Sequence, residues 1–174
     1  MRLPPHTRPR GISIPANDVF IVREHSGTPR IRSQTLLDGY YGLGFIHATD
    51  RLFQMFATRA LAQGRLSEAF GDAEDLVASD QRARAGRFHE VSIDDLAGLG
   101  DEGMAAVNAY CTGANDVIER GHRPFELRLT GNRIELFKTE DILASLRAIA
   151  YFRLSSSQGS MELSIARALA ADPM

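Results

Sequence analysis

The stretch from Gly39 to Gly71, GYYGLGFIHATDRLFQMFATRALAQGRLSEAFG, limits what this chain can fold into more than any other. Leu52, Met55, Phe56, Arg59 and Leu66 recur at helical spacing, so one face can bury against a neighbour while Asp50, Gln54, Thr58 and Arg65 point elsewhere. The spacing predicts the longest helix of the chain, opening near Thr35 after Ser33 as N-cap and stopping at Gly71. Gly39, Gly42 and Gly44 crowd its first turns, and each weakens an isolated helix by up to about 1 kcal/mol relative to alanine. Neither a dinucleotide nor a P-loop spacing accompanies them, so the expected compensation is a closely packed second backbone rather than a phosphate.

Around this helix the chain reads as mostly helical with a few short extended segments. Residues 1–17 form an extended arm rich in proline, and residues 18–174 form one domain without internal repeats. Asp18 to Val22 is a strand, Ser26-Gly27 a turn, and Pro29 to Arg32 a returning strand. Asp72 to Gly86 is a further helix, Ser92 caps a short turn, and Met104 to Ile118 repeats apolar residues at three- and four-residue spacing until Gly121. Phe125, Leu127 and Leu129 alternate, Gly131-Asn132 turns, and Ile134 and Leu136 alternate back, which predicts a hairpin. Thr139 is expected as the N-cap of a helix with Glu140 and Asp141 in its first turn, the serine run 155–160 interrupts it, and Met161 to Ala171 makes a last helix.

Basic and acidic residues number 20 and 22 and are interspersed, so no basic stripe argues for nucleic acid. The single cysteine, Cys111, excludes an intrachain disulfide and reads as a small buried hydrophobe. Residues 1–15 carry prolines and arginines without an apolar core, hence neither a signal peptide nor a membrane segment. A cytoplasmic location is therefore expected, with a periplasmic or secreted one open if a leader was replaced.

Two groups of side chains invite chemistry, each with a structural alternative. His47 beside Asp50 allows a His-Asp pair or simple burial. Asp50, Arg51, Arg59, Arg65 and Glu68 allow an ion-pair network along the helix, structural or capable of holding an anionic substrate. His6, His25, His89 and His122 share no metal-ligand spacing. Ser155, Ser156 and Ser157 lack a base and a strained turn, so the chain shows no nucleophile of its own.

The runs GLGFIHATDRLFQM and RALAQGRLSEAFG resemble the glycine, aromatic, His-Ala, Asp-Arg-Leu and Gln-Gly-Arg-Leu-x-Glu-x-x-Gly signature near the start of the α-chain in the penicillin acylase family. Weaker echoes are Gly27-Thr-Pro-Arg-Ile31, with Arg30 where the family commonly has His, Tyr110-Cys-Thr-Gly-Ala-Asn115, and Lys138-Thr-Glu-Asp141 after Phe137 in place of a tryptophan. The resemblance implies the α-chain (small subunit) of an N-terminal nucleophile hydrolase, made as a precursor and cut into α- and β-chains of an αββα heterodimer. It implies an amidohydrolase cleaving a linear amide through an acyl-enzyme on the first residue of the β-chain, with no catalytic residue in this chain. Partners are then the β-chain and a small-molecule amide, with no nucleic acid and no membrane. Tyr151, Phe152 and Leu154 fall where the family lines its acyl pocket, although an ordinary core role fits them too. Glu162 falls where many members bind a structural calcium, although a helix-start acid favoured by the dipole fits it equally. No organic cofactor is expected. Acyl transfer by the same acyl-enzyme, or a non-catalytic helical interaction domain, are the alternatives.

Overall fold

In the computed structural model, which describes residues 11–14 and 19–171, the glycine-rich stretch becomes a helix whose glycines touch the chain's own backbone. Helix α1 spans Leu36–Gln63, with one non-helical residue at Arg51. Helix α5, Gly100–Glu119, crosses it where Gly44 and Gly113 face each other's helix. A Cβ on Gly44 would lie 1.9 Å from the Tyr110 carbonyl oxygen, and one on Gly113 would lie 1.9 Å from the Tyr41 carbonyl oxygen. Two glycines thus let two backbones approach where any side chain would hold them apart. The sheet sits on the same helix, because a Cβ on Gly42 would meet Val19 and Ile31 at 2.8 Å.

That sheet is antiparallel in the order β1 (Gly11–Ile14), β2 (Val19–Arg23), β3 (Pro29–Arg32). Ile21 pairs with Ile12 on one side and Ile31 on the other. Both expected strands are present, and Gly27 makes the turn with φ 85°. Part of the expected arm is the edge strand β1, and the rest of it lies outside the described residues. Val19 and Ile21 join Phe45, Ile46, Leu52, Ala114, Val117 and Phe137 in the main core.

The long helix ends earlier than Gly71. Thr35, not Ser33, is its N-cap, with Oγ1 accepting from the Asp38 N–H at 3.1 Å. Gly64 closes it in the left-handed region at φ 64°. A separate helix α2, Leu66–Phe70, then starts because the buried Asp80 carboxylate accepts from Leu66 N, Ser67 N and Ser67 Oγ at 2.7, 2.9 and 2.6 Å. Asp80 sits on the expected helix α3, Glu74–Ala85.

Ser92 does not cap a turn. It lies inside α4, Phe88–Asp95, fully buried, with its hydroxyl donating to the Phe88 carbonyl at 2.6 Å. The expected hairpin is absent as well. Phe125–Leu129 is a short helix, α6, opened by Pro124, whose Leu127 is buried while Phe125 and Leu129 are exposed. Over five residues period-two alternation cannot be told from one helical turn, and a proline at the start favours the turn. Burying Leu127 contributes about 1.5–3 kcal/mol. Gly131 does turn the chain, at φ 71°, into an extended but unpaired segment leading to residue 138.

Helix α7, Thr139–Ala171, runs through the serine run without a break. Ser157, Ser160 and Ser164 donate to the carbonyls of Leu154, Ser157 and Ser160 at 2.8–3.0 Å, which lets serines ride inside a helix instead of stopping it. Its start is capped from within, the Asp141 carboxylate accepting from the Lys138 N–H at 3.0 Å, while Thr139 donates to Asn108 at 2.5 Å. Ala144 and Ala148 are fully buried against Ala62, Ala83 and Phe88, whereas residues 157–167 are exposed.

Candidate acyl-binding surface and the polar clamp beside it

Tyr151, Phe152 and Leu154 lie where α7 leaves the body of the domain. Tyr151 and Phe152 meet edge to face at 5.3 Å, and Phe88 of α4 reaches both, with ring centroids at 5.1 and 6.2 Å. Phe88 is buried, Phe152 half-buried, Tyr151 49% exposed and Leu154 58% exposed. One edge of this aromatic group therefore belongs to the second core and the other is open. Such a surface can receive an apolar group only if something closes it from outside. Sequence reading missed Phe88, since nothing about an isolated phenylalanine after Arg87 marks it as a partner for a distant helix.

Glu162 does not start a helix. It lies within α7, more than twenty residues past Thr139, so the argument from the helix dipole fails. It is exposed, and among the described residues no group of three or more His, Cys, Asp or Glu is placed to hold a metal. The described residues of this chain do not by themselves fit a calcium site.

The expected charge network resolves into separate pairs with different elements. Asp50 binds Arg23 of β2 through both oxygens, and Glu68 binds Arg65. Arg59, 6% exposed, stacks over the Phe137 ring at 4.4 Å, donates to the Glu135 and Leu136 carbonyls at 3.1 and 3.2 Å, and lies 3.5 Å from Asp141. Burial pushes its guanidinium down while Asp141 and Glu135 pull it up. Asn115 completes this clamp on the extended segment, donating to the Phe137 carbonyl at 2.9 Å and accepting its N–H at 2.7 Å. Gln63 of the Gln-Gly-Arg-Leu motif donates to Asp141 at 2.8 Å. Motif residues thus fix helix ends, and Gly42, Gly44, Asp50 and Arg59 of α1 are engaged within this chain.

No His-Asp pair forms. His47 Nδ1 lies 3.0 Å from the Tyr110 hydroxyl, and Asp50 is held by Arg23. Burial lowers the His47 pKa against the opposing charge of Asp50. Cys111 is buried in the core, with its thiol pushed up to about 12 by burial, so it stays protonated and unreactive. The Ser157 hydroxyl is spent on its own helix.

Comparison with known proteins agrees with this architecture. A family model described as Penicillin amidase matches residues 18–173. The penicillin acylase 2 proenzyme of Pseudomonas sp. (strain SE83) is 34% identical over 161 residues, 92% of this chain and 20% of the relative. The acyl-homoserine lactone acylase QuiP of Pseudomonas putida is 34% identical over 129 residues, 72% of this chain and 16% of the relative. The chain thus spans about a fifth of the length of the curated relatives it matches. The crystal structure of the thermostable penicillin G acylase from Alcaligenes faecalis superposes with a TM-score of 0.70 at 23% identity, covering 80% of this chain and 75% of that one, and shows the shared fold. Among the described residues no helix is long and apolar enough to cross a membrane. From a family match that runs through nearly every element described above, the chain belongs to the penicillin amidase family, the group of N-terminal nucleophile hydrolases that its glycine, His-Ala and Gln-Gly-Arg-Leu signature resembles.

Proposed function

We propose that the chain is the α-chain of an acylase that hydrolyses a linear amide, paired with a larger β-chain from the same precursor. The observation that carries this is the family match over residues 18–173. The β-chain would supply the nucleophile at its first residue, with its own α-amino group as base and preorganised donors for the oxyanion. This chain would supply one wall of the acyl pocket, Tyr151 and Leu154 facing the β-chain while Phe152 and Phe88 hold Tyr151 in place. Calcium enters only as an ion shared between chains, with one oxygen from Glu162 and the rest from the β-chain.

A denaturing gel with intact mass of the purified protein tests the assembly. A co-purifying larger chain that begins with Ser, Thr or Cys is expected, and a lone chain of 174 residues without amidase activity sinks the reading. An amide panel varying only the acyl chain tests the pocket. Tyr151→Ala should shift the relative kcat/KM between short and long acyl groups by about tenfold or more, and an unchanged ranking removes Tyr151 from the site.

A further inference from the structure

We propose that the cleft beside Arg59 binds a small monocarboxylate. It opens to solvent between the end of α1, helix α2 and the segment 132–135, with a volume of about 70 Å³, room for a molecule of a few heavy atoms. Arg59 lines it, and only its Nη1 is engaged, with the Glu135 and Leu136 carbonyls and Asp141; among the described residues Nε and Nη2 take no hydrogen bond. Arg133, exposed, lines the cleft too and makes no hydrogen bond or ion pair among the described residues. A nine-tenths buried guanidinium with unused donors, next to a second uncommitted one, is a planar fork suited to a carboxylate.

The remaining lining sets the class of anion. Arg59, Arg65 and Arg133 against Glu68 and Glu135 leave one positive charge, and Asp141 offsets part of that at Arg59. A monoanion is therefore accepted and a dianion repelled by the two glutamates. Phe56 and Ala69 provide an apolar wall for a short hydrocarbon body. Propionate has the right parts: one carboxylate and a two-carbon tail.

The test is titration of propionate into the purified protein together with any chain that co-purifies, followed by calorimetry and by saturation transfer to the propionate methyl group. Chloride and sulfate at equal ionic strength are the comparators. Arg133→Gln is the variant, because an exposed side chain without a partner can be changed without disturbing the fold, which circular dichroism verifies. Saturable propionate binding that weakens at least tenfold in Arg133→Gln is expected. Absence of saturable binding, binding undiminished in the variant, or sulfate or chloride binding as tight as propionate would each overturn the assignment.

Discussion

Replacing Gly44 with alanine puts a methyl group where the Tyr110 carbonyl oxygen stands, 1.9 Å from the ideal Cβ position. Ordinary contact needs more than 3 Å, so the two helices must separate by over 1 Å or one must bend. The blocking atoms are backbone on a helix, which cannot swing aside as a long side chain can. Opening a gap of 0.5–1 Å forfeits about a quarter to a half of each dispersion contact across it, and the interface includes Tyr41, Phe45, Ile46, Ala48, Cys111, Ala114 and Val117. Overpacking of this kind destabilises by about 1–3 kcal/mol and sometimes more, against a gain of about 1 kcal/mol in helix propensity. With the whole of α5 displaced, the upper end of that range applies and a net loss of about 2 kcal/mol is expected, a fall in Tm of about 4–8 °C for a chain of this size. Gly103→Ala on the same helix meets only Leu99, at 3.4 Å or beyond, and should leave Tm unchanged or raise it. Calorimetry of both variants at one protein concentration decides the matter. A Gly44→Ala variant within about 2 °C of the parent would show that α1 and α5 do not pack backbone to backbone.

Three further outcomes follow from the buried polar groups. Arg59→Met leaves the Asp141 carboxylate and the Glu135 and Leu136 carbonyls without their cation, and denaturant unfolding should show a loss of about 3 kcal/mol; less than about 1 kcal/mol would mean that the clamp is dispensable. For Asp80, burial raises the carboxyl pKa, but hydrogen bonds from Ser67 and Leu66 together with Arg84 outweigh it and hold the value below the ordinary one. Its contribution is therefore complete above the unfolded value of about 3.9 and is lost as pH falls through the folded one, so Asp80→Asn should destabilise by about 1–3 kcal/mol at neutral pH and flatten the acid limb of the stability profile below about pH 4. An equally steep acid limb in the variant would assign that slope elsewhere. Cys111, buried with its thiol near 12, should resist alkylation in the native protein and react as one thiol per chain after denaturation; rapid native labelling would contradict its burial.

What the sequence made legible was governed by local spacing and backbone chemistry. The glycines of α1 announced a close approach, and Gly71 and Gly121, read as helix stops, both lie just past helices with positive φ. The position of the first helix end was not legible, because Gly64 gains its role from Asp80, which arrives from another helix to start α2. The false hairpin at 124–136 came from five alternating residues that a single helical turn satisfies equally. The serine run misled because a serine's taste for turns is a statement about isolated backbone, and α7 satisfies the hydroxyls inside the helix. Of the candidate site, Tyr151 and Phe152 are named through family resemblance alone. Phe88 was invisible, because a partner made by tertiary packing leaves no local periodicity.

The clamp on residues 135–138 carries a consequence for anyone rewriting this chain. Apart from the buried Phe137 ring beneath Arg59, Arg59 and Asn115 grip peptide groups of this segment: the carbonyls of Glu135, Leu136 and Phe137 and one amide. At 135 and 136 only carbonyls are read, and every amino acid offers one, so the identity information of this segment is concentrated in Phe137 and in the two helices that hold it. Glu135 and Leu136, both exposed, are therefore positions where a tag, a label or a foreign side chain can be written in with little penalty, within about 0.5 kcal/mol, while their readers at 59 and 115 are not editable.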